Sequence, residues 1–165
     1  MSDCKVALIS ANLKTVLNGQ AITYNGVEHT ITAERQRRRL RVAGRYPYIE
    51  ICGPWTEIQT GSQQNVYNKN HNKLYYQIEL REDTINDDYE EGADVTPITE
   101  LTDNIAADLI KLIMADRTRG GNATNTNVIN YGYYFDADTE ALEYVIYLTI
   151  EVTAFINATN PYLGG

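Results

Sequence analysis

Hydrophobic and polar residues alternate along the whole of residues 143–157, EYVIYLTIEVTAFIN. One parity, that is, one set of alternate positions, is apolar throughout, and the other mixes aromatic and β-branched residues with Thr and Glu. Because alternate side chains of a strand point to opposite faces, the pattern predicts a strand with one covered face. The mixed face is typical of a surface that is partly exposed to solvent or that contacts another subunit. A strand of this length reaches about 45–50 Å, so we expect a bend or an overhang onto a neighbour.

Shorter alternating segments predict the remaining strands. Residues 46–53, 73–83 and 128–136 each place β-prone residues on alternate positions, and Gly53-Pro54 is predicted to end the first of them. An Asn-Gly pair between residues 21–24 and 27–32 predicts a small β-ribbon. The polar, Gln- and Asn-rich residues 56–72 are expected to form a long flap, and residues 122–127 a loop.

Two segments have the periodicity of amphipathic helices. Residues 3–18 carry an apolar stripe with Ser2 or Asp3 as the expected N-cap and Gly19 just beyond the end. Residues 96–116 carry a second stripe, in which Thr96-Pro97 provides a start and Gly120-Gly121 a stop. The apolar positions of this second helix are Ile98, Leu101, Ile105, Leu109, Leu112 and Ile113.

The order of these elements predicts a single α+β domain over residues 1–165. Three or four mostly antiparallel strands with two main helices on one face form a two-layer sandwich. Residues 158–165 are expected to be a C-terminal arm. This arm and the flap are expected to extend from the domain. A chain of this length buries enough surface to fold without metals or disulfides.

The charges are unevenly distributed along the chain. The net charge is −8, yet residues 35–45 hold six of the nine arginines, whereas residues 79–103 hold ten acidic residues. A positive and a negative patch on one subunit are suited to fixing the register of a head-to-tail ring. We therefore predict subunit-interface residues at Arg37, Arg38, Arg39, Arg41, Arg45, Tyr147 and Phe155. Lumen- or partner-facing acidic residues are predicted at Asp87, Asp88, Glu90 and Glu91.

The sequence offers little that is typical of a catalytic or metal site. His29 and His71 lie outside any recognisable motif, and no phosphate-binding, dinucleotide-binding or nucleophile motif occurs. Cys4 and Cys52 are isolated and are expected to be reduced thiols, although a disulfide between them stays open. We expect no catalytic residues, no metal and no cofactor. Nor does the sequence predict a membrane span or an export signal.

Several phrases of the sequence resemble the tail terminator proteins of long-tailed bacteriophages, also called tail completion or head–tail joining proteins. The resemblance rests on the helix at 6–17, the strand phrases 46–51 and 74–80, the capped helix at 96–116 with Gly120-Gly121, and the pattern 144–152 followed by Asn160-Pro161-Tyr162. The resemblance lies in the order of helices and strands and extends over most of the chain. It does not include the 56–72 flap or the arginine cluster.

The resemblance implies a structural virion protein of the phage tail, assembled in the host cytoplasm. Such subunits form a hexameric ring that caps the tail tube, stops its polymerisation and offers a docking surface to the head connector. Its partners would be copies of itself, the tail tube protein and a head-connector protein. DNA would pass through the channel without specific binding, and residues 83–95 would line the lumen or meet residues 35–45 of a neighbour.

Two other functions stay open at the level of the sequence. A different head–tail connector, an adaptor or a tail tube protein would share the same element order, and a tube protein would polymerise without stopping. A small nucleic-acid-binding protein would use residues 35–45, and its DNA binding would depend on salt and on Arg37, Arg38 and Arg39.

Overall fold

A computed structural model describes residues 4–24, 27–35, 47–57, 69–82, 96–136 and 143–157. Within these ranges the chain forms two helices, α1 (Lys5–Leu17) and α2 (Thr96–Met114). The strands are β1 (Ala21–Tyr24), β2 (Val27–Thr30), β3 (Thr32–Arg35), β4 (Tyr48–Glu57), β5 (Lys69–Glu82), β6 (Asn125–Asp136) and β7 (Glu143–Asn157). Neither described helix is long and apolar enough to cross a membrane.

Five strands form one sheet in the order β3-β4-β5-β7-β6. All neighbours in it are antiparallel except β3 and β4, which run parallel. The strands β1 and β2 form a separate antiparallel ribbon. Both helices pack on one face of the sheet, α1 over β3 and β4 and α2 over β6 and β7. The architecture is thus a two-layer α+β sandwich, which confirms the predicted fold class.

The core lies between this face of the sheet and the helices. The apolar parity of β7 from Tyr144 to Ala154 and the matching parity of β5 from Leu74 to Leu80 are fully buried there, as alternation predicts, and Ile156 is partly buried. Leu13 of α1 and Leu109 of α2 pack against them with no exposed surface. Burying a side chain of this size stabilises the fold by about 1.5–3 kcal/mol. The sheet residues concerned are Leu74, Tyr76, Ile78, Leu80, Tyr144, Ile146, Leu148, Ile150, Val152 and Ala154.

Two tyrosines of this core bond to helix hydroxyls. The Tyr76 hydroxyl lies 3.1 Å from the Ser10 hydroxyl of α1, which itself donates to the Val6 carbonyl oxygen at 2.9 Å. Because the Ser10 proton is used in that bond, Tyr76 is the donor to Ser10. The Tyr144 hydroxyl bonds to Thr102 of α2. Each helix is therefore tied to the sheet by a bond between side chains at a fixed position.

The turn that follows α2 is organised by Asp116. Its carboxylate accepts hydrogen bonds from the backbone N–H of Thr118 (3.1 Å) and Gly120 (2.7 Å) and from the side chain of Asn12 in α1 (3.0 Å). Desolvation raises the pKa of Asp116, but these bonds and one from the Thr118 hydroxyl outweigh it and lower the pKa. Asp116 thus links α1, α2 and the turn that leads into β6.

Arg119 is fully buried in the same turn. Its φ of 52° lies in the left-handed region, and the following Gly120 and Gly121 continue it with φ values of 65° and 79°. The guanidinium donates to the Ile113 carbonyl oxygen in the last turn of α2 and to the Thr126 hydroxyl at 3.0 Å. A cation at this position interacts favourably with the helix dipole. The predicted stop at Gly120-Gly121 is therefore a left-handed turn that begins one residue earlier.

The structure corrects several predicted element bounds. β4 does not end at Gly53-Pro54 but continues to Glu57, because a register shift between Cys52 and Trp55 absorbs the two residues as a bulge. The predicted flap 56–72 is consequently shorter, since 56–57 belong to β4 and 69–72 to β5; residues 58–68 lie outside the described part. β6 begins at Asn125 within the predicted loop 122–127.

The N-terminal helix begins later than predicted. Its N-cap is Cys4, without a side-chain capping bond, and not Ser2 or Asp3. Its end agrees with the prediction, since Gly19 has a φ of 76° just after the C-cap Asn18. The ribbon formed by β1 and β2 was also predicted, although residues 25–26 of its turn are outside the described part. Residue 32 belongs to β3 and not to the ribbon.

Candidate functional site

The candidate site is the face of the sheet opposite the helices, which we call the outer face. Among the described residues no helix or strand covers it. It carries charged, aromatic and β-branched side chains in place of the apolar parity of the core, and several of them remain exposed. Its residues include Glu50, Cys52, Trp55, Lys73, Tyr75, Glu79, Arg81, Tyr134, Asp136, Val145, Tyr147, Glu151 and Phe155.

Arg81 organises one half of the outer face. Its guanidinium lies 2.7 Å from the carboxylate of Glu79, 2.9 Å from Asp136 and 3.7 Å from Glu50. These groups belong to three different strands, β4, β5 and β6, so the ion pairs join the sheet across its width. The bridge to Asp136 passes over β7, where Val145 is paired with Arg81 and is fully buried. Three carboxylates around one guanidinium leave this cluster with a formal charge of −2.

Glu50, Cys52 and Glu79 place one oxygen or sulfur atom each within 4.8 Å of one another. A zinc ion in such a set requires the thiolate form of cysteine. Burial, and then the negative charges of Glu79 and Glu50, raise the pKa of Cys52 to about 12, so the thiol is protonated at neutral pH. The two carboxylates are already ion-paired with Arg81. We assign no metal to this cluster.

Tyr134 on β6 belongs to the same cluster. Burial is the largest cause that raises its pKa to about 12, followed by the negative charge of Glu79, to which it also hydrogen bonds. Its ring lies 6.2 Å from that of Tyr147 on β7. The Tyr134 phenol therefore remains a neutral donor to Glu79 at physiological pH.

The other half of the outer face is aromatic. The rings of Trp55 and Tyr75 stack with centroids 6.5 Å apart, and Trp55 is 45% exposed. The Tyr75 hydroxyl (3.1 Å) and the Lys73 ammonium (2.9 Å) both donate to Glu151 of β7. Exposed aromatic rings with polar tips are enriched in protein–protein interfaces.

β5 and β7 continue beyond the other strands of the sheet. Their register runs from Glu82↔Tyr144 to Lys69↔Asn157, whereas β4 pairs with β5 only as far as Lys73 and β6 pairs with β7 only as far as Thr153. Four residue pairs, which span about 13 Å, thus extend past the flanking strands. No described strand pairs with either outer edge of this ribbon, which we call the overhang. It carries Phe155, which is 36% exposed.

The two ends of the sheet differ in charge. Eleven of the chain's 22 acidic residues, without a Lys or Arg among them, lie in the strand ends and connecting segments 82–95 and 136–143. β5 ends, β6 ends and β7 begins at this acidic end. At the opposite end, the overhang contains Lys69 and no acidic residue. The sequences of residues 58–68 and 158–165, which precede β5 and follow β7 in the chain, contain no charged side chain.

A groove of about 500 Å³ lies between α2 and the edge strand β6. Its apolar wall is formed by Ile110 and Met114 of α2 and by Val128, Ile129 and Tyr131 of β6. A bulge between Val128 and Asn130 leaves Ile129 without a partner on β7 and 54% exposed. Tyr131 is 46% exposed and donates to Asp103 at 3.3 Å. An apolar groove along an open strand edge is suited to binding an extended peptide.

The structure describes only two of the predicted interface residues. Tyr147 is half-buried, because it lies across Gly132 on the outer face, whereas Phe155 is exposed in the overhang. The other predicted residues lie outside the described part of the chain, and their roles stay predictions: Arg37, Arg38, Arg39, Arg41, Arg45, Asp87, Asp88, Glu90 and Glu91.

Sequence reasoning missed the Arg81 cluster and the groove. A signal for the cluster was present, since Arg81 follows Glu79 at the next outer position of β5, close to the acidic end of the strand. A signal for the bulge was the adjacent apolar pair Val128-Ile129, which breaks the alternation of β6.

Known proteins add no assignment to these surfaces. No protein-family model matches the chain. No curated protein shows significant sequence similarity to it.

Proposed function

We propose that this protein is a structural subunit that assembles with copies of itself into a ring and acts as a tail terminator of a long-tailed bacteriophage. The ring, a hexamer in this proposal, caps the tail tube, stops its polymerisation and offers a surface to the head connector. The observation that carries the proposal is the overhang of β5 and β7. Its two strand edges pair with no described strand, and its exposed Phe155 lies outside the core of the sandwich.

Free strand edges in a soluble protein are a template for pairing with another chain. The overhang contains one basic residue, Lys69, and no acidic residue, so two overhangs can approach each other without repulsion between carboxylates. The exposed Trp55–Tyr75 pair extends the same surface towards the middle of the outer face. Shape, charge and aromatic content therefore favour self-association at this end.

The acidic end supports the second half of the proposal. DNA that passes through a channel must not bind to its wall, and a surface dense in carboxylates repels phosphates. We propose that residues 82–95 and 136–143 face the channel or the connector. Residues 35–45 then meet the acidic end of a neighbour, because opposite charges favour that register.

Light scattering of the purified protein, alone and mixed with tail tubes, tests the proposal, together with negative-stain images of the same samples. We expect a closed ring, free or at one end of each tube, and tubes that stop growing once it is bound. The substitution Phe155→Asp should weaken assembly at least tenfold. Leu8→Asp is the matched control, since Leu8 is equally exposed, at 36%, but lies on α1.

Three results would contradict the proposal. A protein that remains monomeric with and without tubes has no ring-forming surface. Unlimited growth of the protein into tubes would identify a tube subunit. DNA binding that is lost in the variant with Arg37, Arg38 and Arg39 replaced by Ala, without any assembly, would favour the nucleic-acid-binding alternative.

A further inference from the structure

We infer that the groove between α2 and β6 binds residues 158–165 of a second copy of this chain, with Tyr162 and Leu163 as the apolar anchors. The inference rests on the proposed self-assembly and specifies which segment is exchanged between neighbours. It depends on three features of the described residues: the apolar groove, the open edge of β6 and the direction in which β7 ends.

The groove and the edge are complementary to an extended apolar peptide. Ile129 and Tyr131 present large apolar surface next to a strand edge that has no partner among the described residues. Neither Lys nor Pro, the residues that commonly protect such an edge, occurs in β6. An added strand would gain main-chain hydrogen bonds from β6, while its alternate side chains would enter the groove.

Residues 158–165, ATNPYLGG, have the composition of such a peptide. They are uncharged and contain two large apolar side chains next to Pro161, whose fixed φ favours an extended chain. The groove has a size typical of pockets that bind small ligands, large enough for one or two side chains. The groove wall contains no charged residue, so it is suited to binding this uncharged segment.

The backbone of Tyr162 falls short of the level of Val128 in its own chain. Val128 of the groove is paired with Ile150, which lies seven residues before the end of β7, or about 23 Å back along the strand. Tyr162 is five residues beyond Asn157, so even a fully extended chain carries it at most about 18 Å. We therefore assign the occupant of the groove to another copy.

Disulfide trapping tests the exchange directly. In a background that carries Cys4→Ser and Cys52→Ser, one protein sample carries Ile129→Cys and a second, of different mass, carries Leu163→Cys. After mixing and oxidation we expect a disulfide between the two samples. Leu8→Cys replaces Ile129→Cys in the control, because Leu8 is exposed outside the groove. A yield no higher than that of the control would overturn the inference.

The inference can fail while the proposed function stands. If the ring forms normally in the variant Leu163→Asp, the segment is not required, and the inference is wrong. We expect instead that Leu163→Asp weakens assembly at least tenfold, whereas Thr159→Asp in the same segment has a much smaller effect.

It can also be tested if the protein does not assemble. A synthetic peptide of residues 157–165 should bind saturably to the protein truncated after Asn157, and Ile129→Asp should abolish the binding. No binding at millimolar peptide would overturn the inference independently of the ring.

Discussion

A Cβ atom on Gly132 would lie 2.8 Å from the hydroxyl oxygen of Tyr147 and 3.0 Å from the ring carbon that bears it. Gly132 of β6 and Tyr147 of β7 are direct partners in the register, and the tyrosine ring lies across the glycine. A glycine in a strand interior usually weakens the strand, because it has no side chain to pack. Here the aromatic ring of the neighbouring strand covers the gap.

We predict that Gly132→Ala destabilises the protein by about 1–3 kcal/mol, the usual cost of overpacking. In the Tyr147→Val background the same substitution should be neutral or stabilise by up to about 1 kcal/mol, since Ala restricts the unfolded chain. Urea unfolding of the four proteins in a double-mutant cycle measures the coupling. Additive effects of the two substitutions would show that the ring does not determine the cost.

The buried pair Ser10 and Tyr76 predicts an asymmetry between two substitutions. Ser10→Ala leaves the Tyr76 hydroxyl without its acceptor in the core and should cost about 1–3 kcal/mol. Tyr76→Phe removes the donor, but Ser10 still bonds to the Val6 carbonyl oxygen, so the cost should be only about 0.5–1.5 kcal/mol. Thermal or urea unfolding measures both, and equal costs would contradict the assigned direction of the bond.

The sequence predicted those elements whose hydrophobic pattern is continuous. β7 has the predicted bounds 143–157, because every position of that segment fits one alternation. β4 was cut short, since Gly53-Pro54 normally ends a strand and only the pairing with β5 shows that a bulge absorbs the two residues. The extra length of β5 was hidden because Asn and Lys at 69–73 have low strand propensity, which pairing with β7 overrides.

The candidate site was predictable only where one strand carries it. Tyr147 and Phe155 followed from the mixed parity of β7. The Arg81 cluster combines Glu50, Glu79 and Asp136 from three strands, and their proximity depends on the strand order, which periodicity does not provide. The acidic end likewise becomes apparent only when the register brings Glu82 and Asp136, from which two separate acidic segments begin, to the same end of the sheet.

Arg81 is predicted to be essential for the stability of the outer face. Arg81→Met leaves three carboxylates close together in a site where the guanidinium was only 12% exposed. Removal of one partner from a buried ion pair costs about 3–5 kcal/mol. We expect the destabilisation by Arg81→Met to reach at most this range, because the guanidinium is partly exposed. The decrease in the free energy of unfolding caused by Arg81→Met should become smaller below about pH 4, where carboxylates become neutral.

Urea unfolding at pH 7 and pH 4 measures the effect of Arg81→Met. Lys111→Met on the exposed surface of α2 is the control for loss of one positive charge and should change stability by less than about 0.5 kcal/mol. A similar, small effect of both substitutions would mean that the carboxylates of the cluster are solvated and do not need Arg81.

Asp116 predicts a pH dependence of stability. Its pKa is lower in the folded protein, so its contribution is fully present above the unfolded value of about 3.9 and is lost as the pH falls through the folded pKa. Asp116→Asn should therefore destabilise by about 1.5–3 kcal/mol at pH 7 and by less at pH 3. Asp108→Asn on the exposed surface of α2 is the control. If the difference in the free energy of unfolding between the wild type and Asp116→Asn did not change with pH, the hydrogen bonds assigned to the Asp116 carboxylate would be contradicted.

Cys52 predicts slow alkylation in the native state. With a pKa of about 12, only a small fraction of the thiol is ionised at pH 8, whereas an unfolded cysteine has a pKa of about 8.5. Because the thiolate is the nucleophile, a Cys4→Ser variant should react with iodoacetamide at least about a hundredfold more slowly when folded than in urea. Its rate should also rise about tenfold from pH 8 to pH 9, well below the pKa.

The charges around Cys52 supply the control for this reaction. Burial is the largest cause of the raised pKa, and the charges of Glu79 and Glu50 add to it. Glu50→Gln in the same background should therefore accelerate labelling measurably, because one negative charge near the thiolate is removed. Glu28→Gln, on the exposed surface of β2, should leave the rate unchanged. Rapid labelling of the folded protein at pH 8 would contradict a half-buried, protonated thiol.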